Sequence, residues 1–281
     1  MRVRAVPATA TRGVTLQQRA RRGLVWWLVE CSKYLVLIVL SISFMLPLYW
    51  MAVSGLKTAP QVYRVPPVWL PMPPRWINYW EAWHVDSFTL YALNTVLRYA
   101  IPVTIGSVVS NAIVAYGFSR VQWLGRDLLF SICLMTMMIP GQVTMVPVFI
   151  IFKKLGWVNS YRPLVVPSFF ASAYTIFLLR QFFRTVPTEL SDAARIDGCT
   201  EFGIMLRIIL PLAKPALAVV ALFAFMGSWN DYMGPLIYLN NSSLYPLTMG
   251  LARLFNTLNE RGVKGLAYPY LMAVSTIVTL P

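Results

Sequence analysis

The stretch "DAARIDGCTEFGIMLRIILP", Asp192–Pro211, is charged and glycine-broken in a chain that is apolar almost everywhere else. Just upstream, Pro187 and Thr188 suit a helix start, and Glu189 and Asp192 fall near the first turn, where the helix dipole favours negative charge. Leu190, Ala193, Ala194 and Asp197 then share one face at helical spacing, and Gly198 supplies a left-handed stop. A second helix is predicted to carry Phe202, Met205, Leu206 and Ile209 as an apolar stripe with Arg207 on the other side, limited by Pro211 and Pro215. The expected product over 185–211 is a helix-turn-helix with small alanines that allow close approach. That is a knob shaped for another protein's socket.

Outward from this stretch the composition changes solvent. Of 281 residues, 58% are hydrophobic and 12% charged, with a mean hydropathy of +0.62, outside the balance of water-soluble domains. A helix needs about 20 mostly apolar residues to cross roughly 30 Å of hydrocarbon. Six runs meet or approach this, giving expected spans at 34–56, 93–119, 128–152, 163–182, 214–239 and 265–281. The fold class expected is therefore an all-α, multi-pass integral membrane protein with six crossings in a single domain over 34–281. The last run stops at Pro281, which suggests an incomplete final helix.

The basic segment 1–33, with Arg2, Arg4, Arg12, Arg19, Arg21 and Arg22, places the N-terminus in the cytoplasm under the positive-inside rule. The first apolar run is too long for a signal-peptide core and should stay as an anchor. On this topology the 185–211 loop, between the fourth and fifth spans, is cytoplasmic; Lys153 and Lys154 fall outside, against the bias. The net charge of +14 is accounted for by topology and contact with anionic membrane lipid. No basic groove with interleaved stacking aromatics points to nucleic acid.

Catalysis finds little support. Cys31, Cys133 and Cys199 stand alone without metal or disulfide spacing, and His84 is the only histidine, in a Trp-rich loop. No catalytic residue, metal site or bound cofactor is expected, and no Gly-x4-Gly-Lys-Ser/Thr phosphate loop is present. Candidates along a solute path are polar or aromatic groups within or beside the spans: Asn94, Asn111, Trp229, Asn230, Asp231 and Tyr232. Gly106, Ser107, Ser110 and Gly117 permit close helix approach in the second span. Pro140, Gly141 and Pro147 should kink or interrupt the third.

The spacing Asp192-Ala193-Ala194, three residues, Gly198, nine residues, Ile208, one residue, Leu210-Pro211 resembles the EAA loop of permease subunits of binding-protein-dependent ABC importers, with Asp in place of the usual Glu. "LPLYWMAVSGLKT", "WINYWEAW", "AYGFSR", "IPGQVTMVPVFIIFKKLGWVNS", "SWNDYMGPLIYL" and "YPLTMGLARL" are similar to maltose-type carbohydrate permeases, specifically their MalG-like partner. The resemblance implies a subunit of the bacterial inner membrane that pairs with a second homologous permease, two ATP-binding subunits and an extracytoplasmic solute-binding protein, and passes a sugar inward. It also implies that ATP and Mg2+ belong to the ATPase subunits, and that Glu189, Asp192, Ala193, Ala194, Asp197, Gly198, Phe202, Leu206 and Pro211 form the contact with them. Glycerol phosphate, an amino acid or an anion is the alternative solute, with Arg98 the basic candidate; an ion-coupled secondary transporter is a further alternative.

Overall fold

The computed structural model describes residues 16–260 and 264–280; much of the arginine-rich start and the final Pro281 lie outside them. Among the described residues the architecture is helical throughout. Helix α1 (Leu16–Gly55) contains Pro47 and runs through the first apolar stretch as one element, beginning well before residue 34. The Asn78 amide closes its end by donating to the carbonyls of Gly55 and Lys57 at 2.8 and 2.9 Å. The Pro- and Trp-rich connection that follows carries two short helices, α2 (Ala59–Val62) and α3 (Ile77–Val85). Glu81 ties this connection to the last helix through the Tyr270 hydroxyl at 2.5 Å.

Helix α4 (Phe88–Ser119) is continuous but widens to π geometry over Asn94–Ala100, two residues before Pro102. A proline ring in α geometry collides with the carbonyl four residues back, and a π segment relieves that clash. The third apolar run is broken rather than bent gently. Helices α5 (Arg126–Thr136) and α6 (Gly141–Lys154) meet at 96° across Pro140, whereas Pro147 lies inside α6. A turn at Arg162–Val165 and a 3-10 segment at Val166–Phe170 lead into α7 (Ala173–Thr185).

Helices α8 (Thr188–Ile196) and α9 (Glu201–Leu212) form the loop of the opening stretch, and α9 turns by 81° into α10 (Lys214–Trp229). The fifth run, expected to reach residue 239, stops at Trp229 and resumes as α11 (Met233–Tyr238), because Asn230–Tyr232 leave helical geometry. Helices α12 (Leu247–Glu260) and α13 (Ala267–Thr279) complete the described chain. Three segments are long and apolar enough to cross a membrane, Val29–Gly55, Phe88–Ser119 and Arg162–Thr185, or up to five if each bent pair is one span. Helix α13, at 13 residues, falls short by itself.

Two cores organise the bundle. One joins Ala112, Ala115, Tyr116, Leu179, Phe183 and Val220 of α4, α7 and α10 to Ala194, Ile204, Met205 and Ile209 of the loop. The other packs Phe88 and Tyr91 against Leu254, Leu258 and Val274 of α12 and α13. Small residues let α4 approach its neighbours: a Cβ added to Gly106 would lie 2.8 Å from the Phe169 ring. Ser110 donates to the Ser168 carbonyl at 3.0 Å, and the Asn111 Oδ1 accepts from the Ser172 amide at 2.8 Å, just after Ala171 turns at φ +56°. Apolar residues gain little from each other in lipid, so such close packing and interhelical hydrogen bonds hold helices together there.

Candidate functional site: the docked loop

Local chemistry builds the loop in three steps. Val186 and Pro187 are extended and release Thr188 into α8, with Glu189 in the first turn. Gly198, at φ +82°, ends it: its amide donates to the Arg195 carbonyl at 3.0 Å and the Cys199 amide to Ala194 at 2.9 Å. This pair of bonds satisfies carbonyls that a helix end otherwise leaves open. Thr200 then caps α9 by accepting from the Gly203 amide at 3.2 Å. Within α9 a second π segment, Met205–Ile209, again precedes a proline by two residues, here Pro211.

The loop has two distinct faces. Ser191, Ala194, Ile204, Met205 and Ile209 turn into the bundle. Leu190, Ile196, Phe202 and Leu206 point out; Ile196 is 86% and Phe202 62% exposed. The alanine pair is therefore divided, Ala193 outward and Ala194 inward, and the expected stripe is divided too, with Met205 and Ile209 in the core and Phe202 and Leu206 outside. Glu189, Asp192, Asp197, Gly198 and Pro211 are all exposed. An outward apolar group framed by carboxylates suits a protein partner.

Charge holds the two helices in register. Arg195 donates to Asp192 Oδ1 and to Glu201 Oε1, both at 2.7 Å. The other Glu201 oxygen, Oε2, accepts from the Tyr116 hydroxyl of α4 at 2.7 Å. Arg195 and Tyr116 hold the Glu201 carboxyl below its ordinary range, and Glu201 in turn holds the Arg195 guanidinium above its own. A carboxyl lowered in this way supports the fold above the ordinary carboxylate range and loses that support as pH falls through its lowered value. Arg120, buried at the end of α4, donates to the carbonyls of Phe183 and Val186. A cavity of about 570 Å³ lies between this arginine and Ser191, Asp192, Arg195 and Glu201.

Sequence reasoning did not single out Tyr116, Arg120, Arg195 and Glu201 for this role. Tyr116 and Arg120 do stand in the "AYGFSR" segment, and their spacing from each other, i and i+4, was the available signal.

The six candidates for a solute path are not brought together. Asn94 donates to the carbonyls of Ser243 and Tyr245 at 2.9 and 3.0 Å, and Asn111 to that of Ser107 at 2.6 Å, so both amides bind the chain itself. Asp231 accepts from the Tyr99 hydroxyl at 2.5 Å and from the Gly234 amide at 3.0 Å, joining α4 to the start of α11. Trp229 and Asn230 line a cavity of about 530 Å³ with Phe225, Thr248 and Ser275. Tyr232 lines another, of about 380 Å³, with Tyr245, Arg253 and Asn256. Arg98 is exposed. No cluster of His, Cys, Asp or Glu suited to a metal occurs among the described residues.

Comparison with known proteins places this geometry. The fold matches a crystal structure of a bacterial ABC transporter involved in the import of the acidic polysaccharide alginate, with a TM-score of 0.81, 23% identity, and coverage of 90% of this chain and 92% of that one. The probable ABC transporter permease protein YurM of Bacillus subtilis (strain 168) is 31% identical over 250 residues, covering 87% of this chain and 80% of YurM. The arabinooligosaccharides transport system permease protein AraQ of the same organism is 29% identical over 259 residues, 88% of this chain and 86% of AraQ. The sn-glycerol-3-phosphate transport system permease protein UgpE of Yersinia pestis is 32% identical over 243 residues, 84% of each chain. The family model for the binding-protein-dependent transport system inner membrane component matches residues 111–281, and the chain, an integral membrane protein with the loop built above inside the matched region, belongs to that family.

Proposed function

We propose that this protein is the permease subunit of an importer that moves a sugar or oligosaccharide across the bacterial inner membrane by alternating access, with ATP hydrolysed by separate subunits. The observation that carries the reading is the docked loop. Its inner face shares a core with α4, α7 and α10, while its outer face presents Leu190, Ile196, Phe202 and Leu206 unpartnered among Glu189, Asp192 and Asp197. A displacement of the outer face is thereby passed to the membrane helices through buried contacts and the Arg195–Glu201–Tyr116 chain. The partners are two ATP-binding subunits on this face, with ATP and Mg2+ bound there, a second homologous permease, and a solute-binding protein outside.

The topology that goes with it has a cytoplasmic N-terminus and six crossings, counting the bent α5–α6 pair as one and including α10 and α13, with α9 outside the membrane. Relatives named for arabinooligosaccharides transport favour a sugar. The Trp229–Asn230 cavity supplies an aromatic face beside an amide, which suits a polyol passing through. The relative named for sn-glycerol-3-phosphate supports a second reading, a phosphorylated solute.

Energy decides which contacts matter. Driving a two-state cavity from 1:99 to 99:1 takes about 5.5 kcal/mol of differential binding, whereas an exposed pair such as Asp192 would make is worth about 0–1 kcal/mol. The apolar tip therefore carries the coupling. The test is co-purification with the candidate ATPase and labelled-sugar uptake for a Gly198→Val, Asp192→Lys variant against wild type. Loss of both with insertion intact is expected; survival of both would sink the assignment.

A further inference from the structure

A second cleft lies beside the loop but is lined by no residue of it. About 470 Å³ in volume, it sits between the start of α5 and the end of α7 and gathers the guanidiniums of Arg126, Arg180 and Arg184 around one carboxylate, Asp127. Arg180, 8% exposed, is committed: its Nε donates to the Phe118 carbonyl at 3.0 Å and its guanidinium covers the Phe130 ring at 4.0 Å. Arg126 Nε lies 3.2 Å from Asp127 Oδ1 and Arg180 Nη2 lies 3.5 Å from the same oxygen, so both share one acceptor. The Arg184 side chain forms no hydrogen bond or close ion pair among the described residues and acts on Asp127 only at longer range. Three cations facing one anion leave two positive charges uncompensated.

The cleft's surroundings identify what compensates them. Trp123, whose indole donates to the Gly117 carbonyl, and the fully exposed Leu124 lie in the chain between two residues that line it, Gln122 and Arg126. Leu128, Leu129 and Ile132 continue an exposed apolar face down α5. An arginine cluster at the rim of an apolar band, marked by a tryptophan, is at headgroup depth. Guanidinium forks match phosphate oxygens in pairs. We propose that this cleft binds a phosphate group, and that its depth assigns that phosphate to an anionic glycerophospholipid.

The test uses the full-length chain, purified in detergent with whatever subunits accompany it, probed by native mass spectrometry. Phosphatidylglycerol is expected to be retained over phosphatidylcholine. Arg184→Gln should weaken retention about five-fold and the Arg126→Gln, Arg184→Gln pair about 25-fold, with Arg64→Gln, on an exposed outer-loop residue, unchanged. Equal retention of the two lipids, or an Arg184→Gln variant that behaves as wild type, overturns the site. Thermal stabilisation by inorganic phosphate that matches phosphatidylglycerol would assign the cleft to a soluble ion and overturn the lipid assignment. So would a photo-cross-linker at Arg184→Cys that captures an ATPase subunit instead of lipid.

Discussion

The α8–α9 loop, charged, and the α5–α6 pair, apolar, are both broken by proline or glycine and both leave large side chains exposed, yet they are held in opposite ways. The loop is anchored on its inner face by Ala194, Ile204, Met205 and Ile209 and by the Arg195–Glu201–Tyr116 chain. The pair is anchored by Phe130 alone among buried residues of α5, and α6 buries none. The difference shows two uses of exposed apolar surface. A charge-framed tip suits the protein contact proposed above, while an unframed helix such as α6, with Met138 82% exposed just before it, suits hydrocarbon or another apolar helix.

One pair of lysine substitutions breaks or sharpens that contrast most strongly. Val146→Lys, on the exposed face of α6, should cost roughly 2.5–3.5 kcal/mol of insertion, read as loss of membrane-integrated protein. Ile196→Lys, more exposed still, should change the chain's own stability by less than about 0.5 kcal/mol. Equal effects at both sites would erase the distinction. Next in size, Phe202→Ala should weaken association with the ATPase by about 2 kcal/mol, roughly 30-fold, and leave the melting temperature in place.

Smaller effects test the frame rather than the tip. Gly198→Ala puts a Cβ into a left-handed position and should destabilise the loop by about 1–2 kcal/mol, read as faster proteolysis after Arg195 or Arg207. Smallest is the response to acid. Because Glu201 is held below the ordinary carboxylate range, loop protection against protease should stay flat near neutral pH and fall only as pH drops through that lowered value. Glu201→Gln should remove this low-pH limb, and a limb that persists would locate the titrating group elsewhere.

How far these features were legible depended on how local their causes are. Gly198 as a stop and Pro140 as a break are backbone constraints written at single positions, and the alternation of helix and turn over 185–211 follows from the first of them. The division of Ala193 from Ala194 was not legible, because both lie at acceptable helical spacing and only the position of α4 and α7 decides which is inside. The Glu201–Tyr116 bond spans 85 positions and has no local trace. Helix α12 has no charge-free run to mark it, because it is amphipathic and contains Arg253 and Glu260. Proline in the sequence does not say which disturbance it brings: Pro140 breaks its helix, Pro147, expected to kink or interrupt, sits inside one, and Pro102 and Pro211 each follow a π segment.

Under the proposed coupling, the 81° turn between α9 and α10 would let the pair work as a bell crank. Its fulcrum is Ala213, fully buried and small, with its amide held by the carbonyls of Ile209 and Leu210 at 2.9 and 3.1 Å. At 1.5 Å per residue the input arm is about 18 Å long and the output arm about 24 Å. If the proposed coupling holds, a push at the tip would be rotated nearly a quarter turn and would reach Trp229 amplified by roughly a third, from arm lengths alone. A bulkier side chain at Ala213 would jam the pivot without touching either arm.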